Sequence, residues 1–304
     1  MTHRRAVALM VLVTLLWSIA GVVARHLEAA AGFEVNFWRS GFNALALAIG
    51  LTWLRGPGLW AGLLNAPRIV WISGLCWAVM FTAFMLAITM TTVAMVLVTM
   101  ALGPMITALF ARCFLKQRLP LRTWLAIALA GLGIAWMFGA EAPAGARLLG
   151  SLVACAVPLA AAVNWTLLQK TGQGSDAGPD MLPAVLIGAV LSALCTLPLA
   201  WPLQATTHDL GLLALLGVVQ LAIPCLLVVR LTRVLPAPEI ALLALLEVIF
   251  GVAWAWLWAG EQPAVSVLAG GGLVLFALVF NEGLALRQRA SGTFSEAEGN
   301  IKQL

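Results

Sequence analysis

Long apolar runs separated by short polar segments make up the chain from its beginning to about residue 286. A run of about 20 apolar residues is as long as an α-helix must be to cross the hydrocarbon core of a bilayer. The strands of a membrane β-barrel would instead give shorter segments of alternating polarity. The pattern predicts an all-α integral membrane protein with ten transmembrane helices, at residues 6–25, 33–54, 67–88, 90–113, 120–139, 148–168, 181–201, 208–234, 238–259 and 264–286.

The composition supports this prediction, because 62% of the residues are hydrophobic and only 10% are charged. Water-soluble domains carry about 25% charged residues. The five cysteines lie inside or at the edges of apolar runs without CxxC spacing, so they predict neither disulfides nor a metal site. The net charge of +5 is spread over short segments between the runs. Binding to nucleic acid is therefore not expected.

Lysine and arginine are distributed unequally between the two faces that ten spans generate. One face receives only Arg25 and Arg147, and Arg39 lies within the second span. Positive residues near the ends of membrane spans stay in the cytoplasm. The bias predicts both termini in the cytoplasm and a location in the bacterial inner membrane. The other face receives fourteen cations: Arg4, Arg5, Arg55, Arg68, Arg112, Lys116, Arg118, Arg122, Lys170, Arg230, Arg233, Arg287, Arg289 and Lys302.

The chain also contains an internal repeat. The stretch 94–117 returns 144 residues later as 238–261, with Val248 in register with Pro104 and Glu261 in register with Gln117. Five spans per half is an odd number, so the second half is inverted relative to the first, which is an architecture of transporters. We expect an N-terminal repeat at 1–140, an inverted C-terminal repeat at 141–286 and a disordered cytoplasmic tail at 287–304.

The two repeated stretches resemble the paired signature of the drug/metabolite transporter superfamily, EamA type. Lys116 and Gln117 stand where the family usually has Gly-Glu, and Val248 stands where it usually has proline. The resemblance implies a central cavity between helices 1 to 4 and 6 to 9, and among members it leans towards YddG-type aromatic amino-acid exporters. The residues that carry it are Trp17, Ser18, Arg39, Ala87, Thr91, Ala94, Pro104, Gly131, Leu235, Ala237, Leu246, Glu247, Gly260, Glu261 and Gly272.

No catalytic chemistry is indicated. The sequence has no GxxxxGK[ST] motif, so it lacks the phosphate-binding loop of the ATPases that use one. His3, His26 and His208 fall at helix ends or in loops and form no buried pair for a metal or a general base. We expect no enzyme activity, no metal and no cofactor.

Two charged residues fall inside predicted spans. Glu247 is predicted near mid-bilayer, where a charge costs about 3 kcal/mol. The functional interpretation of Glu247 is a protonation switch or a contact for a substrate amine. The alternative is a neutral carboxyl that is hydrogen-bonded by the local backbone where helix 9 bends. Arg39 is six residues into helix 2, close enough to the outer surface to reach it as an interface anchor. The alternative for Arg39 is a gate or a contact for a substrate carboxylate.

A substrate cavity is predicted at mid-depth. Asn43, Gln220 and Pro104 lie near the centres of their helices, although polar groups there also join helices to one another. Gly103 and Pro104 form the candidate hinge. Large side chains deep in the spans are candidates for the apolar lining, with plain helix packing as the alternative: Trp17, Trp77, Phe84, Met100 and Trp165. Other tryptophans are candidates for the membrane–water interface.

These features predict a secondary transporter that exports amino acids, including aromatic ones, and similar metabolites by alternating access. The expected partners are a small amphipathic substrate and the lipid bilayer, and the pattern is compatible with a monomer. A channel is one alternative, although single polar residues supply no ring of ligands along a pore. A lipid or drug flippase with the same architecture is the other.

Overall fold

The computed structural model describes residues 1–90, 96, 99–139, 148–172, 179–259 and 264–301. All regular structure in these ranges is helical. The all-α prediction is therefore confirmed. We label the helices that correspond to the ten predicted spans α1 to α10.

The bounds follow the predicted spans within a few residues, apart from the end of α10. The first part of the fourth span, residues 91–95 and 97–98, lies outside the described residues. The helices are α1 (His3–Ser18 and Ala20–Ala24), α2 (Phe33–Arg55), α3 (Arg68–Met90), α4 (Gly103–Phe114), α5 (Leu121–Gly139), α6 (Leu148–Gly172), α7 (Leu182–Ala200), α8 (Thr207–Leu215, a π-helical segment Leu216–Ala222, and Ile223–Leu231), α9 (Ala237–Ala244 and Leu246–Ala259) and α10 (Val265–Ile301).

Six described helical stretches are long and apolar enough to cross a membrane: His3–Ala24, Arg68–Ala87, Leu152–Gly172, Leu182–Ala200, Thr207–Leu231 and Ala237–Trp258. Three more are apolar but shorter: Gly103–Phe114, Leu121–Trp136 and Val265–Asn281. The protein is a multi-pass membrane protein. The segment α2 has the length of a span, but Glu34, Arg39 and Arg55 make it less apolar.

Two features differ from the expectation. A short helix, Gly58–Leu64, lies between α2 and α3, where the sequence predicts only a connection. The last helix continues to Ile301, through most of the tail that is predicted to be disordered. Extending an existing helix adds one hydrogen bond for each residue that is fixed, which favours continuation even into a polar segment.

Among the described helices, four contain or follow an irregular turn within two residues of side chains that line a cavity in the centre of the bundle. The helix α1 is interrupted at Ile19, and α9 is interrupted at Leu245. Residues 101–102 form a turn just before α4. In α8 the middle of the span is a π-helical segment, a rare form that is frequent at functional sites.

Close backbone contacts fix the helices around this cavity. The helix α2 packs on α7 and on the π-helical segment of α8, while α3 packs on α6 and α7. At Gly217 a side chain is excluded, because an added Cβ would lie 2.6 Å from Phe42 Cβ and 2.7 Å from the Arg39 carbonyl oxygen. This approach presses the middle of α8 against α2.

The helices α5 and α10 pack against each other. A Cβ at Gly133 would lie 2.7 Å from the Gly270 carbonyl oxygen, so the glycine allows the two backbones to touch. No described residue of either helix lines the central cavity. In the described ranges, this pair therefore packs outside the cavity.

Two carboxylates join the loop after α1 to the loop before α8, and we call this arrangement the loop clamp. Asp209 accepts hydrogen bonds from the backbone N–H groups of Glu28, Ala29 and Ala30, at 2.7, 3.0 and 2.9 Å. Glu34 accepts from the N–H groups of residues 204 and 205, both at 2.8 Å. The clamp connects the two predicted halves on the face that is predicted to be outside.

Candidate functional site

A cavity of about 150 Å³ lies between the two predicted halves. Its walls come from α1, α2, α3, α6, α8, α9 and the segment that contains α4. Among the described residues α7 contributes no lining residue. It packs behind α2 and α3 instead.

Ten of the eleven predicted site residues line this cavity. Seven are in the predicted substrate set and three in the predicted hinge or gate set: Trp17, Trp77, Phe84, Met100, Trp165, Gln220, Glu247, Gly103, Pro104 and Arg39. They come from both sequence repeats. Of the three residues predicted near mid-depth, Gln220 and Pro104 line the cavity.

Asn43 does not line the cavity. It is 0% exposed, and its backbone N would lie 2.8 Å from a Cβ at Gly217. The close approach of α8 to α2 therefore fills the space on this side of α2. Both side-chain polar atoms of Asn43 are without a hydrogen-bond partner among the described residues.

The apolar wall contains a cluster of aromatic rings. The rings of Trp77 and Trp165 meet edge to face, with centroids 5.3 Å apart. Phe81 lies next to Trp77, with centroids 5.6 Å apart. Aromatic pairs prefer such arrangements, and they give a rigid apolar surface of large area. This wall suits the apolar part of an amphipathic molecule.

Arg39 is the buried cation of the cavity. It is 3% exposed, and its Nη2 donates to the Phe81 carbonyl oxygen at 3.3 Å and to Asn36 Oδ1 at 3.5 Å. Its Nε is buried without a partner among the described residues. The interface-anchor interpretation of Arg39 is wrong, because partners inside the bundle hold the guanidinium away from the membrane surface.

A hydrogen-bond network behind Arg39 holds these partners in place, and Ser192 of α7 is at its centre. Ser192 Oγ accepts from Asn36 Nδ2 at 3.1 Å and lies 3.0 Å from Ser40 Oγ and 2.9 Å from Thr82 Oγ1. The network joins α2, α3 and α7. Ser192 could not be singled out from the sequence, because one serine in an apolar span gives no signal of its own.

Gln220 and Glu247 provide the other polar groups that the sequence predicts. Gln220 Nε2 donates to the carbonyl oxygen of Trp17 at 3.3 Å, next to the interruption of α1. Its Oε1 is buried without a partner among the described residues. Glu247 is half-buried, follows the interruption of α9 at Leu245, and lines the same cavity as Arg39. Among the described lining residues, one guanidinium and one carboxyl group thus face the same space.

Several lining residues carry no signal in the sequence. Pro158 lies inside α6 and faces the segment of Gly103, whose added Cβ would lie 3.7 Å from Pro158 Cβ. Cys225 is buried at the cavity wall. Periodicity cannot distinguish such residues from core residues when a span is apolar on every side.

One group of possible metal ligands occurs among the described residues. Ligand atoms of Glu28, His208 and Asp209 lie within 4.8 Å of one another. Both oxygens of Asp209 accept backbone N–H groups in the loop clamp. Of this group, Asp209 is thus also part of the loop clamp.

Comparison with known proteins identifies the family. The model of the EamA-like transporter family matches the chain twice, at residues 4–139 and 148–282. The chain belongs to the EamA-like transporter family. The resemblance found in the sequence is thereby confirmed, and the two matches fall on the two stretches that the internal repeat separates.

Three related proteins are similar over part or most of the chain. The pseudopaline exporter CntI from each of two strains of Pseudomonas aeruginosa is 24% identical over 286 residues, which is 91% of this chain and 95% of the relative. An uncharacterized transporter of the same species is 28% identical over 142 residues, 45% of this chain and 48% of its own length. Membership of the EamA-like transporter family makes the chain a membrane transporter. The YddG-type assignment stays a prediction.

A solved crystal structure has the same fold as this EamA-like chain. It is 17% identical, with a TM-score of 0.78, over 93% of this chain and 99% of the solved one. At this identity the match shows the fold alone. The cavity is therefore interpreted from the residues of this chain.

Proposed function

We propose that the chain is a secondary exporter that carries amino acids, including aromatic ones, and similar amphipathic metabolites across the bacterial inner membrane. The observation that carries this proposal is the presence of one guanidinium and one carboxyl group, Arg39 and Glu247, in a cavity with an aromatic wall. A zwitterion with an apolar side chain offers one complementary group for each of these features.

The unpartnered polar atoms support a role in binding. Arg39 Nε and Gln220 Oε1 are a donor and an acceptor without partners among the described residues. Buried polar groups are nearly always hydrogen-bonded, so an unpaired one needs an explanation. A substrate carboxylate at Arg39 and a substrate amine at Gln220 or Glu247 would satisfy these groups.

Interrupted helices support alternating access around this cavity. Repeat transporters bind substrates where broken helices meet between two halves. Here Leu245 lines the cavity, and the interruptions at Ile19 and at residues 101–102 lie within two residues of lining residues. In the proposed cycle, the halves rock about the bends next to Pro104 and Glu247, and the cavity faces each side in turn.

The pseudopaline exporters among the relatives support export as the direction. With the termini in the cytoplasm, as the charge distribution predicts, export carries the substrate from the face with the termini to the face with the loop clamp. We propose a gradient or downhill flux as the driving force, because the sequence has no phosphate-binding loop for ATP.

Flux in liposomes tests the proposal. Vesicles that contain the purified protein should release labelled tryptophan and leucine faster than protein-free vesicles do. Ala161 lines the cavity, whereas Ala128 is on the exposed face of α5. Ala161→Trp should abolish this flux by filling the cavity, and Ala128→Trp should leave it unchanged. Wild-type flux in the Ala161→Trp variant would place the transport path elsewhere.

A further inference from the structure

A second cavity, of about 400 Å³, lies where the ends of four helices meet, and we call it the arginine cavity. Its polar lining includes Arg55, Arg230 and Arg233, with Asp180 as the one carboxylate among the described lining residues. Arg55 ends α2, Arg230 is in the last turn of α8, and Asp180 precedes α7. Three cations and one anion give these side chains a net charge of +2.

Among the described residues, only one of the three arginines is paired with a carboxylate. Arg55 forms an ion pair with Asp180. Within the described part of the chain, Arg230 and Arg233 pair with no carboxylate. The stem of Arg233 packs on the end of α6, since a Cβ at Gly172 would lie 3.1 Å from Arg233 Cγ. Two exposed guanidinium groups therefore face the cavity without a local anion.

The bias of positive residues towards one side of a membrane explains arginines at this level, but not three of them around one cavity. Guanidinium groups bind phosphate oxygens through paired hydrogen bonds. Basic pockets between the ends of transmembrane helices bind the headgroups of anionic lipids. The chemistry of the lining thus selects a phosphate-type anion.

The neighbouring surface favours a lipid over a free anion. Trp53 and Leu54, directly before Arg55, are 85% and 56% exposed. Tryptophan at the end of a membrane span sits at the level of the lipid headgroups. Acyl chains could therefore lie along the end of α2 while the phosphate reaches the arginines.

We infer that the arginine cavity binds the phosphodiester headgroup of an anionic membrane lipid. Asp180 competes with the lipid for Arg55, so the carboxylate sets the affinity of the site. The inference does not depend on which substrate crosses the central cavity.

Native mass spectrometry of the purified full-length protein with phosphatidylglycerol tests the inference. The double variant Arg230→Gln/Arg233→Gln should bind phosphatidylglycerol about 30-fold more weakly than wild type, because each arginine contributes attraction to an anionic lipid. The matched control Arg112→Gln/Arg118→Gln removes the same charge from exposed positions outside the cavity and should bind as wild type does. Equal losses in both double variants would overturn the site.

Two further arms make the result specific. Asp180→Asn releases Arg55 and should strengthen phosphatidylglycerol binding several-fold, a gain that misfolding cannot produce. Unchanged or weaker binding would contradict the role of Asp180.

Phosphatidylcholine and inorganic phosphate are the comparison ligands. We expect phosphatidylglycerol to bind more tightly than both. If inorganic phosphate binds as tightly and depends on the same arginines, the site takes a free anion and the lipid assignment is wrong.

Discussion

Arg39 places a buried guanidinium in the wall of the central cavity. Its Nη2 is held by a backbone carbonyl of α3 and by Asn36 of α2, while its Nε has no partner among the described residues. A guanidinium fixed in this way is pre-organised, so little conformational entropy is lost when a carboxylate binds. Substrates that differ only in a carboxylate should therefore be distinguished at this residue.

Arg39→Gln should raise the KM for tryptophan about tenfold to a hundredfold, because a hydrogen bond to a charged group contributes about 1.5–3 kcal/mol. Tryptamine lacks the carboxylate, and its flux should change less than about twofold. Flux of both labelled compounds into or out of liposomes measures the difference, with the exposed Arg112→Gln as control. Equal losses for tryptophan and tryptamine would show that Arg39 supports the fold and does not read the carboxylate.

Ser192 is predicted to stabilise the bundle through three partners. Ser192→Ala leaves Asn36, Ser40 and Thr82 without their common hydrogen-bond partner. At about 0.6 kcal/mol for each hydrogen bond inside a membrane, the free energy of unfolding should fall by about 2 kcal/mol. Unfolding in mixed micelles measures it. Ser266→Ala at the start of α10 is the control, and a similar loss there would rule out the network as the cause.

At the scale of the helix, α8 positions the site through its irregular middle. The π-helical segment contains both Gly217, pressed against α2, and Gln220, which points into the cavity. An extra residue in one turn shifts the faces of a helix relative to each other. The irregularity thus lets one segment pack closely on one side and present a polar group on the other.

Gly217→Ala should therefore destabilise the protein by about 1–3 kcal/mol, the range for forcing extra atoms into a packed interior. Gly211→Ala, in the same span, is the matched control, because nothing lies within 4 Å of its added Cβ. That change should be neutral or stabilising by up to about 1 kcal/mol, since alanine favours a helix over glycine. Thermal unfolding compares each variant with wild type. Equal melting temperatures of Gly217→Ala and Gly211→Ala would contradict the close contact at Gly217.

The helices themselves could be predicted from the sequence because the bilayer fixes how long an apolar run must be. The residues that line the cavity could not be predicted in full. Asn43 and Arg39 are four residues apart in α2 and therefore lie on the same side of the helix, yet only Arg39 lines the cavity. Beside Asn43, the close approach of Gly217 from α8 fills the space. Which positions on one helix face stay open thus depends on neighbours that lie far away in the sequence.

At the scale of the whole molecule, the predicted orientation can be tested directly. With the five native cysteines replaced by alanine, His26→Cys and Asn65→Cys place single thiols in exposed loops at opposite ends of α2. A maleimide that cannot cross membranes should label His26→Cys in intact cells. It should label Asn65→Cys only after the cells are opened. The reverse pattern would invert the proposed topology and, with it, the direction of transport.

The loop clamp has a consequence for the energy balance of the cell. In the alternating-access cycle that we propose, opening the face with the loop clamp means separating Asp209 and Glu34 from backbone N–H groups at five residues of the two loops. Hydrogen bonds to charged groups are strong, so spontaneous opening on that face should be infrequent. We expect such a carrier to turn over slowly, with a steep dependence on temperature, and to leak few ions between turnovers. An inner membrane that stores energy as an ion gradient can hold many copies of such a protein without being discharged.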